Sequence, residues 1–396
     1  MYSKLNEFDV TLETLKSLDN KLNAFKAKAL EISCFLGFDG YVDSLYSIVK
    51  RRENASEWDR MELMKDFGKL IIDTAGSSAN IERVLKKRIF GGFAPNTSRA
   101  LNTLGVNTTL VAALGQSEFS QYYKPSSLVK SISIANPGET LGLEFNDGKI
   151  MITDFEPIHN ITWDNLSRLV SNLDFIDYFN HSDILGFGHW ALVSHLNSIW
   201  KHFLSEIFPS VNNKKSKLFF VDIADITKRS RKDILKMITL LQKIDQEIPV
   251  LLTVNDREAI ILSSIISGIK SINIQENYSD FVKCGQTIND KIDLSYLVIH
   301  SPHFATISTT SDHYWVTEGY TSTPRFTVAA GDHFNSGVVL ALATEMTPAQ
   351  SILIGNALTA IFVRTGISPN FNQLYQFIHH YMEYTLIDNP QVPPSF

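Results

Sequence analysis

The sequence predicts an α/β protein: a doubly wound, mostly parallel sheet with helices on both faces, plus a small β lid. Three observations lead there. Short apolar runs at Ile184 to Phe187, Leu218 to Asp222, Val250 to Val254 and Tyr296 to His300 alternate with segments of helical period, as in a parallel sheet covered on both faces. Two alternating segments, Thr140 to Phe145 and Ile150 to Thr153, flank Asn146-Asp147-Gly148-Lys149, which is a hairpin pattern rather than a parallel-sheet one. The chain of 396 residues, 44% hydrophobic and 20% charged, suits one large core domain with a smaller appendage.

From the N-terminus, residues 8 to 31 carry Leu12, Leu15, Leu18, Leu22, Phe25 and Leu30 at near-helical spacing. They predict an amphipathic helix capping the main body, within an N-terminal helical extension over 1–34. Ile32 to Phe38 reads as a buried strand, and the segment Gly37-Phe38-Asp39-Gly40-Tyr41-Val42-Asp43 puts two carboxylates in the turn after it. Residues 44–88, rich in charge and helix formers around Trp58 to Ile72, predict a helical insertion. Ile89 to Gly105 reads as strand, turn and helix, and Thr109 to Leu114 as a short strand. The hairpin, with its flanks at about 138–157, forms the lid. Gly331 to Ala343 and Pro348 to Arg364 are helical in period, and 386–396 is a C-terminal tail after a core domain over 35–385.

Composition excludes several classes. A net charge of -6 leaves no electrostatic footprint for nucleic acid or an anionic membrane, and Lys214, Lys215 and Lys217 read as a solvated loop. Cys34 and Cys284 are the two cysteines and sit far apart, so neither a disulfide framework nor a zinc site is indicated, and a reducing, cytoplasmic setting is expected. Met1 to Lys28 lacks an apolar signal-peptide core, and no stretch reaches the roughly 18 apolar residues of a membrane span.

The chemistry concentrates in Ala329-Ala330-Gly331-Asp332-His333-Phe334-Asn335-Ser336-Gly337, where small residues run into an apolar helix with an acid in its first turn. Backbone N–H groups of Ala329 to Asp332 at a helix N-terminus suit an anion, and small side chains let a phosphate approach. An aspartate there can take the proton of an attacking hydroxyl. An Asp after a tight turn also stabilises helix starts without any chemistry, so the second cluster carries weight. Gly91-Gly92-Phe93-Ala94-Pro95-Asn96 leads into an apolar helix face ending in Leu104-Gly105, then a strand finishing at Gly115.

This cluster resembles the first signature of the ribokinase, or PfkB-type, carbohydrate kinase family, and Ala329 to Gly337 resembles its second, with Ala329 in place of the first glycine. A third element, Asn255-Asp256-Arg257-Glu258, is similar to the family's Asn-x-x-Glu. The resemblance spans about 35 to 385. It implies the ribokinase-like fold and an ATP-dependent kinase acting on a hydroxyl of a sugar or sugar-like metabolite, with Mg2+. It implies Asp332 as general base with an anion hole at Ala329, Ala330 and Gly331. It implies sugar contacts from Gly91, Gly92 and Asn96 and from an acid after the first strand, Asp43 ahead of Asp39. It implies Asn255 and Glu258 organising metal and phosphate through water, Asn356 beside adenine, and lids that often pair in homodimers. Four positions depart from the pattern: Ala329, Phe326 before Thr327, His300-Ser301-Pro302-His303 where a Thr-x-Gly-x-x-Gly is usual, and Ile223-Ala224 after Asp222. Phe326 argues against a monovalent cation site. A nucleoside kinase, a catalytically silent sugar or nucleotide binder, and an ADP donor stay open at this stage. His181, His189, His300, His303 and His333 lack ligand spacing and read as satisfied polar residues or pocket walls.

Overall fold

The computed structural model describes residues 10–116, 122–267, 278–394 and 396. The first nine residues of the predicted extension and Ser395 of the tail lie outside the described residues.

The main sheet is built from β1 (Ser33–Phe38), β5 (Asn107–Ala112), β6 (Val129–Ser133), β9 (Ile184–Gly188), β10 (Leu218–Asp222), β11 (Val250–Asn255), β12 (Tyr296–His300), β13 (Phe304–Ser308) and β14 (His313–Thr317). Its order is β14-β13-β12-β11-β10-β9-β1-β5-β6. The run from β12 to β6 is parallel, while β13 and β14 are antiparallel.

Both faces are buried, and the pleat shows how. Phe35, Phe187 and Phe219 belong to one apolar core, with Phe38, Phe175, Phe179 and Phe203, whereas the next residues along, Leu36 and Phe220, belong to the core on the other face. That second core is completed by Leu18, Leu22 and Phe25 of the N-terminal helices Thr11–Asp19 and Leu22–Ala29, and by the helices Ala330–Ala343 and Pro348–Thr365. The predicted N-terminal helix is thus two helices. Each fully buried Leu or Phe in them stabilises the fold by about 1.5–3 kcal/mol. The predicted extension is part of the core rather than an ornament on it.

The second sheet overturns one expectation. Residues 44–88 are not a helical insertion: the strands β2 (Tyr41–Arg52), β3 (Trp58–Arg60) and β4 (Arg83–Gly91) run through them, with a single helix at Met64–Asp73. β2 is paired along its length, antiparallel to β4 and parallel to β7 (Gly138–Phe145), and its far end pairs with β3. Those ladders hold it extended despite its charged end. The Lys- and Arg-rich β4 is largely solvent-exposed, which is how a one-sided sheet carries residues that read as helix formers. The hairpin is found as predicted, with β7 antiparallel to β8 (Gly148–Asp154). Tyr46, Ile48, Met61, Phe67, Leu143 and Phe145 give this sheet its own small core. The chain crosses from the main sheet into it at Gly40, where a Cβ would lie 2.2 Å from the Ala113 carbonyl oxygen; only glycine permits that approach.

Among the described residues no helix is long and apolar enough to cross a membrane, and both cysteines are buried and unpaired.

Candidate active site

Five neighbouring parallel strands end at one crevice. The residues at their carboxyl ends are Asp39 after β1, His189 after β9, Asp222 closing β10, Asn255 closing β11 and His300 closing β12, the position where open α/β sheets bind ligands. A cavity of about 380 Å3 opens there, roofed by the second sheet through Thr140, Met151 and Thr153, and lined also by Asp43, Asn96, Glu258 and Asp332. A larger surface groove of about 820 Å3 between the helices Leu196–His202 and Arg231–Glu247 presents exposed lysines. Its one carboxylate, Asp233, is 2.7 Å from Arg229, so it offers no free acid.

Asp332 sits in the first turn of Ala330–Ala343, 6% exposed. Burial raises its carboxyl to about 7; the His189 ring opposes that rise, Asp222 adds to it, and the Asn96 amide opposes it. Asn96 Nδ2 donates to Asp332 Oδ2 at 2.8 Å while its Oδ1 accepts from Arg99 Nη1 at 3.0 Å. Arg99 thereby sets which end of the amide faces the acid. Ala330 N reaches Thr327 O at 3.4 Å and His333 N reaches Ala329 O at 3.1 Å, leaving the amides of Gly331 and Asp332 without a carbonyl partner among the described residues. Two orphan donors at a helix N-terminus, beside a carboxylate, are suited to meet an anion.

Ala329 caps this helix at φ 71°, in the left-handed region. The backbone there suits a glycine, so the alanine that stands at this position is held under strain. Replacing Ala329 with Gly is expected to relieve about 1 kcal/mol of strain, measurable as a raised denaturation midpoint with unchanged slope. His333 holds the loop in place: its Nδ1 is 2.7 Å from Ala329 O and its Nε2 2.7 Å from Ser368 Oγ. The carbonyl can only accept, so Nδ1 carries the proton and Nε2 accepts from the serine. Burial pulls His333 down to about 4, which keeps it neutral.

Asp43 lines the cavity, and burial raises its carboxyl against a hydrogen bond from Thr140. Gly91 leaves it room, since a Cβ there would meet Asp43 Oδ2 at 2.8 Å. Asp39 requires a correction. It is fully buried and does not line the cavity; its carboxylate accepts from Phe93 N at 3.0 Å and Ala94 N at 2.9 Å, anchoring the helix Phe93–Thr103. The turn that held both acids in sequence sends one to the cavity and one to a helix N-terminus.

Asn255 and Glu258 line the cavity and bond each other. Asn255 N donates to Glu258 Oε2 at 2.9 Å, Asn255 Nδ2 to Oε1 at 2.7 Å, and Glu258 N to Asn255 Oδ1 at 3.0 Å. Burial, then Asp222, raises Glu258 to about 8. Asn356 is not brought to the cavity. It lies fully buried on Pro348–Thr365, its amide without a partner among the described residues. On the lid, Lys149 donates to Thr327 Oγ1 at 3.3 Å, tying the hairpin to the segment before the anion site.

Sequence reasoning read His189 as no more than a satisfied polar residue or pocket wall and gave Asp222 no role. The signal for His189 was its place immediately after a predicted strand, in a sheet whose other strand ends already carried site residues.

A family model described as prokaryotic ketohexokinase matches residues 10–381. The chain belongs to the prokaryotic ketohexokinase family. This family member is 25% identical over 350 residues to the ketohexokinase of Haloferax volcanii, covering 88% of this chain and 91% of the relative. It is a carbohydrate kinase, a phosphotransferase with an alcohol group as acceptor. Among solved structures it is similar to Arabidopsis thaliana ribokinase complexed with ribose and ATP, with a TM-score of 0.60, 12% identity, and coverage of 88% of this chain and 98% of that one. It is also similar to the adenosine kinase of Sinorhizobium meliloti, with a TM-score of 0.58, 11% identity, and coverage of 89% and 99%. At such identities these two establish the ribokinase-like fold.

Proposed function

We propose that this chain transfers the γ-phosphoryl group of ATP to a hydroxymethyl oxygen of a ketohexose, with Asp332 as general base. The supporting observation is the pairing of a buried acid with unpartnered helix-start amides on the floor of a cavity lined by sugar-sized polar groups. Asp43, Asn96 and Gly92 hold the sugar. Asp332 accepts the proton of the attacking hydroxyl, and the amides of Gly331 and Asp332 stabilise charge on the phosphoryl group in transfer. The lid, latched by Lys149, excludes water, which would otherwise compete as acceptor.

Magnesium fits this site as a partner of the nucleotide. No group of three or more His, Cys, Asp or Glu among the described residues is arranged to hold a metal directly. Asp222, Asn255 and Glu258 nonetheless all line the cavity, which suits an ion that keeps its waters and binds chiefly to phosphates. Bound there, it would neutralise phosphate charge.

The test is a coupled assay for nucleoside diphosphate release with MgATP across ketohexoses, aldohexoses, polyols and nucleosides. Ketohexose-dependent turnover exceeding that with every other acceptor is the expected result; preference for a nucleoside or for ADP as donor would overturn it. A pH dependence follows. Asp332 must be ionised to accept a proton, and its carboxyl stands at about 7, so kcat/KM is expected to rise as pH passes upward through about 7 and then level off. A profile flat from about pH 5.5 to 8.5 would remove Asp332 from the base role.

A further inference from the structure

The ring of His189 faces a buried carboxylate at one nitrogen and the cavity at the other. Its Nδ1 lies 3.0 Å from Asp39 Oδ2. Asp39 is itself pinned by the Phe93 and Ala94 amides, and the Phe93 ring packs edge-on to the imidazole at 6.0 Å. The carboxylate is completely covered, whereas the imidazole is 21% exposed, into the cavity. The free end, Nε2, faces Asp332 Oδ1 at 3.9 Å, which is too long for a hydrogen bond between the two. The gap does suit two oxygens on neighbouring carbons, each about 2.8 Å from its own partner, one donating to Asp332 and one accepting from the ring.

We infer that His189 is a substrate-binding residue that donates its Nε2 proton to the anomeric oxygen of the ketose, on the carbon that bears the reacting hydroxymethyl group. This rests on the ketohexose reading above and adds the contact that recognises a ketose. Burial disfavours the charged ring, but Asp39, Asp222 and Asp332 outweigh it and push His189 up to about 10, with Glu258 a further acid acting on the ring from the helix after β11. A ring protonated on both nitrogens can only donate. It therefore selects for an acceptor oxygen at that carbon, and with the Asp39 carboxylate 3.0 Å from its other nitrogen the ring faces the cavity before the sugar arrives.

The test uses two acceptors that share the five-membered ring and its hydroxymethyl groups: D-fructose and 2,5-anhydro-D-mannitol, which lacks the anomeric hydroxyl. The wild-type chain is expected to favour D-fructose in kcat/KM by about 10–100-fold, the range of one charge-assisted hydrogen bond. His189→Leu is expected to lose at least about 10-fold more on D-fructose than on the anhydro sugar, and His189→Gln, which keeps an N–H donor, to recover part of that difference. Equal losses on both acceptors, or a wild-type preference near unity, overturn the inference while leaving the ketohexose reading intact. Turnover of other sugars with no ketohexose turnover overturns both. If His189→Leu does not fold, the wild-type ratio and the Gln variant decide between these outcomes.

Discussion

Asp332→Asn is expected to lower kcat by about 10²–10⁴-fold, the contribution typical of a positioned general base. Asparagine keeps the shape and the contact with Asn96 Nδ2, since its own carbonyl oxygen can accept that bond. What it loses is the capacity to take a proton. The anion site also survives, because its donors are the backbone amides of Gly331 and Asp332 rather than a side chain. Acceptor and nucleotide binding should therefore persist, and thermal stabilisation by each ligand is the check that the variant is folded and loaded. A variant that retained turnover within a few-fold of wild type would move the base elsewhere in the cavity. Loss of turnover together with loss of ligand stabilisation would point to a structural role for Asp332.

The largest stability effect is expected at Asp39. It carries no exposure, neutralises the ring of His189 and accepts two backbone amides at the start of Phe93–Thr103. Asp39→Ala leaves a buried imidazole without its nearest countercharge, and breaking such a pair from one side costs about 3–5 kcal/mol. Urea denaturation should show the midpoint falling accordingly. The sign of the pH dependence follows from His189, whose folded value of about 10 lies above its unfolded value of about 6.5. The folded state holds that proton more tightly, so this contribution is fully present below about pH 6.5 and is lost as pH rises through about 10. Wild-type stability should fall across that window. In Asp39→Ala the fall should flatten, because the main group raising the ring is gone. An unchanged alkaline slope would show that Asp222 and Asp332 alone hold the charge on His189.

How much of this was legible in the sequence depends on whether an element is determined locally or across the sheet. β10 and β12 appear with the predicted bounds, and the hairpin β7–β8 lies where its Asp-Gly turn and alternation placed it. Both signals sit within a few consecutive residues. β13, β14 and β6 went unassigned, although β13 and β14 form a local antiparallel meander with β12 and β6 pairs with β5 about 20 residues earlier. Pairing with distant chain explains residues 44–88. Lys86, Lys87 and Arg88 are good helix formers, but β4 is held extended against β2, more than 30 residues earlier.

The site divides in the same way. The run Ala329 to Asp332 carried its meaning in residue type and order: small residues, then an acid, then an apolar helix. The structure adds that Ala329 takes the left-handed conformation its family position demands. Asp39 and Asp43 lie four residues apart in one glycine-containing turn, and the resemblance put Asp43 ahead without excluding Asp39. Only the packing of Phe93–Thr103 against the end of β1 assigned the first to a helix N-terminus and the second to the cavity.

The amino-acid sequence by itself determined the fold class and singled out the small-residue helix start with Asp332 in its first turn, since each is written in short-range pattern. The tertiary structure alone decided that the lid is a five-stranded sheet and that Arg99 orients Asn96. It alone decided that His189 stands between two carboxylates. Asp39, His189 and Asp332 lie more than 100 positions apart in the chain, and their proximity is set by strand order rather than by any local signal.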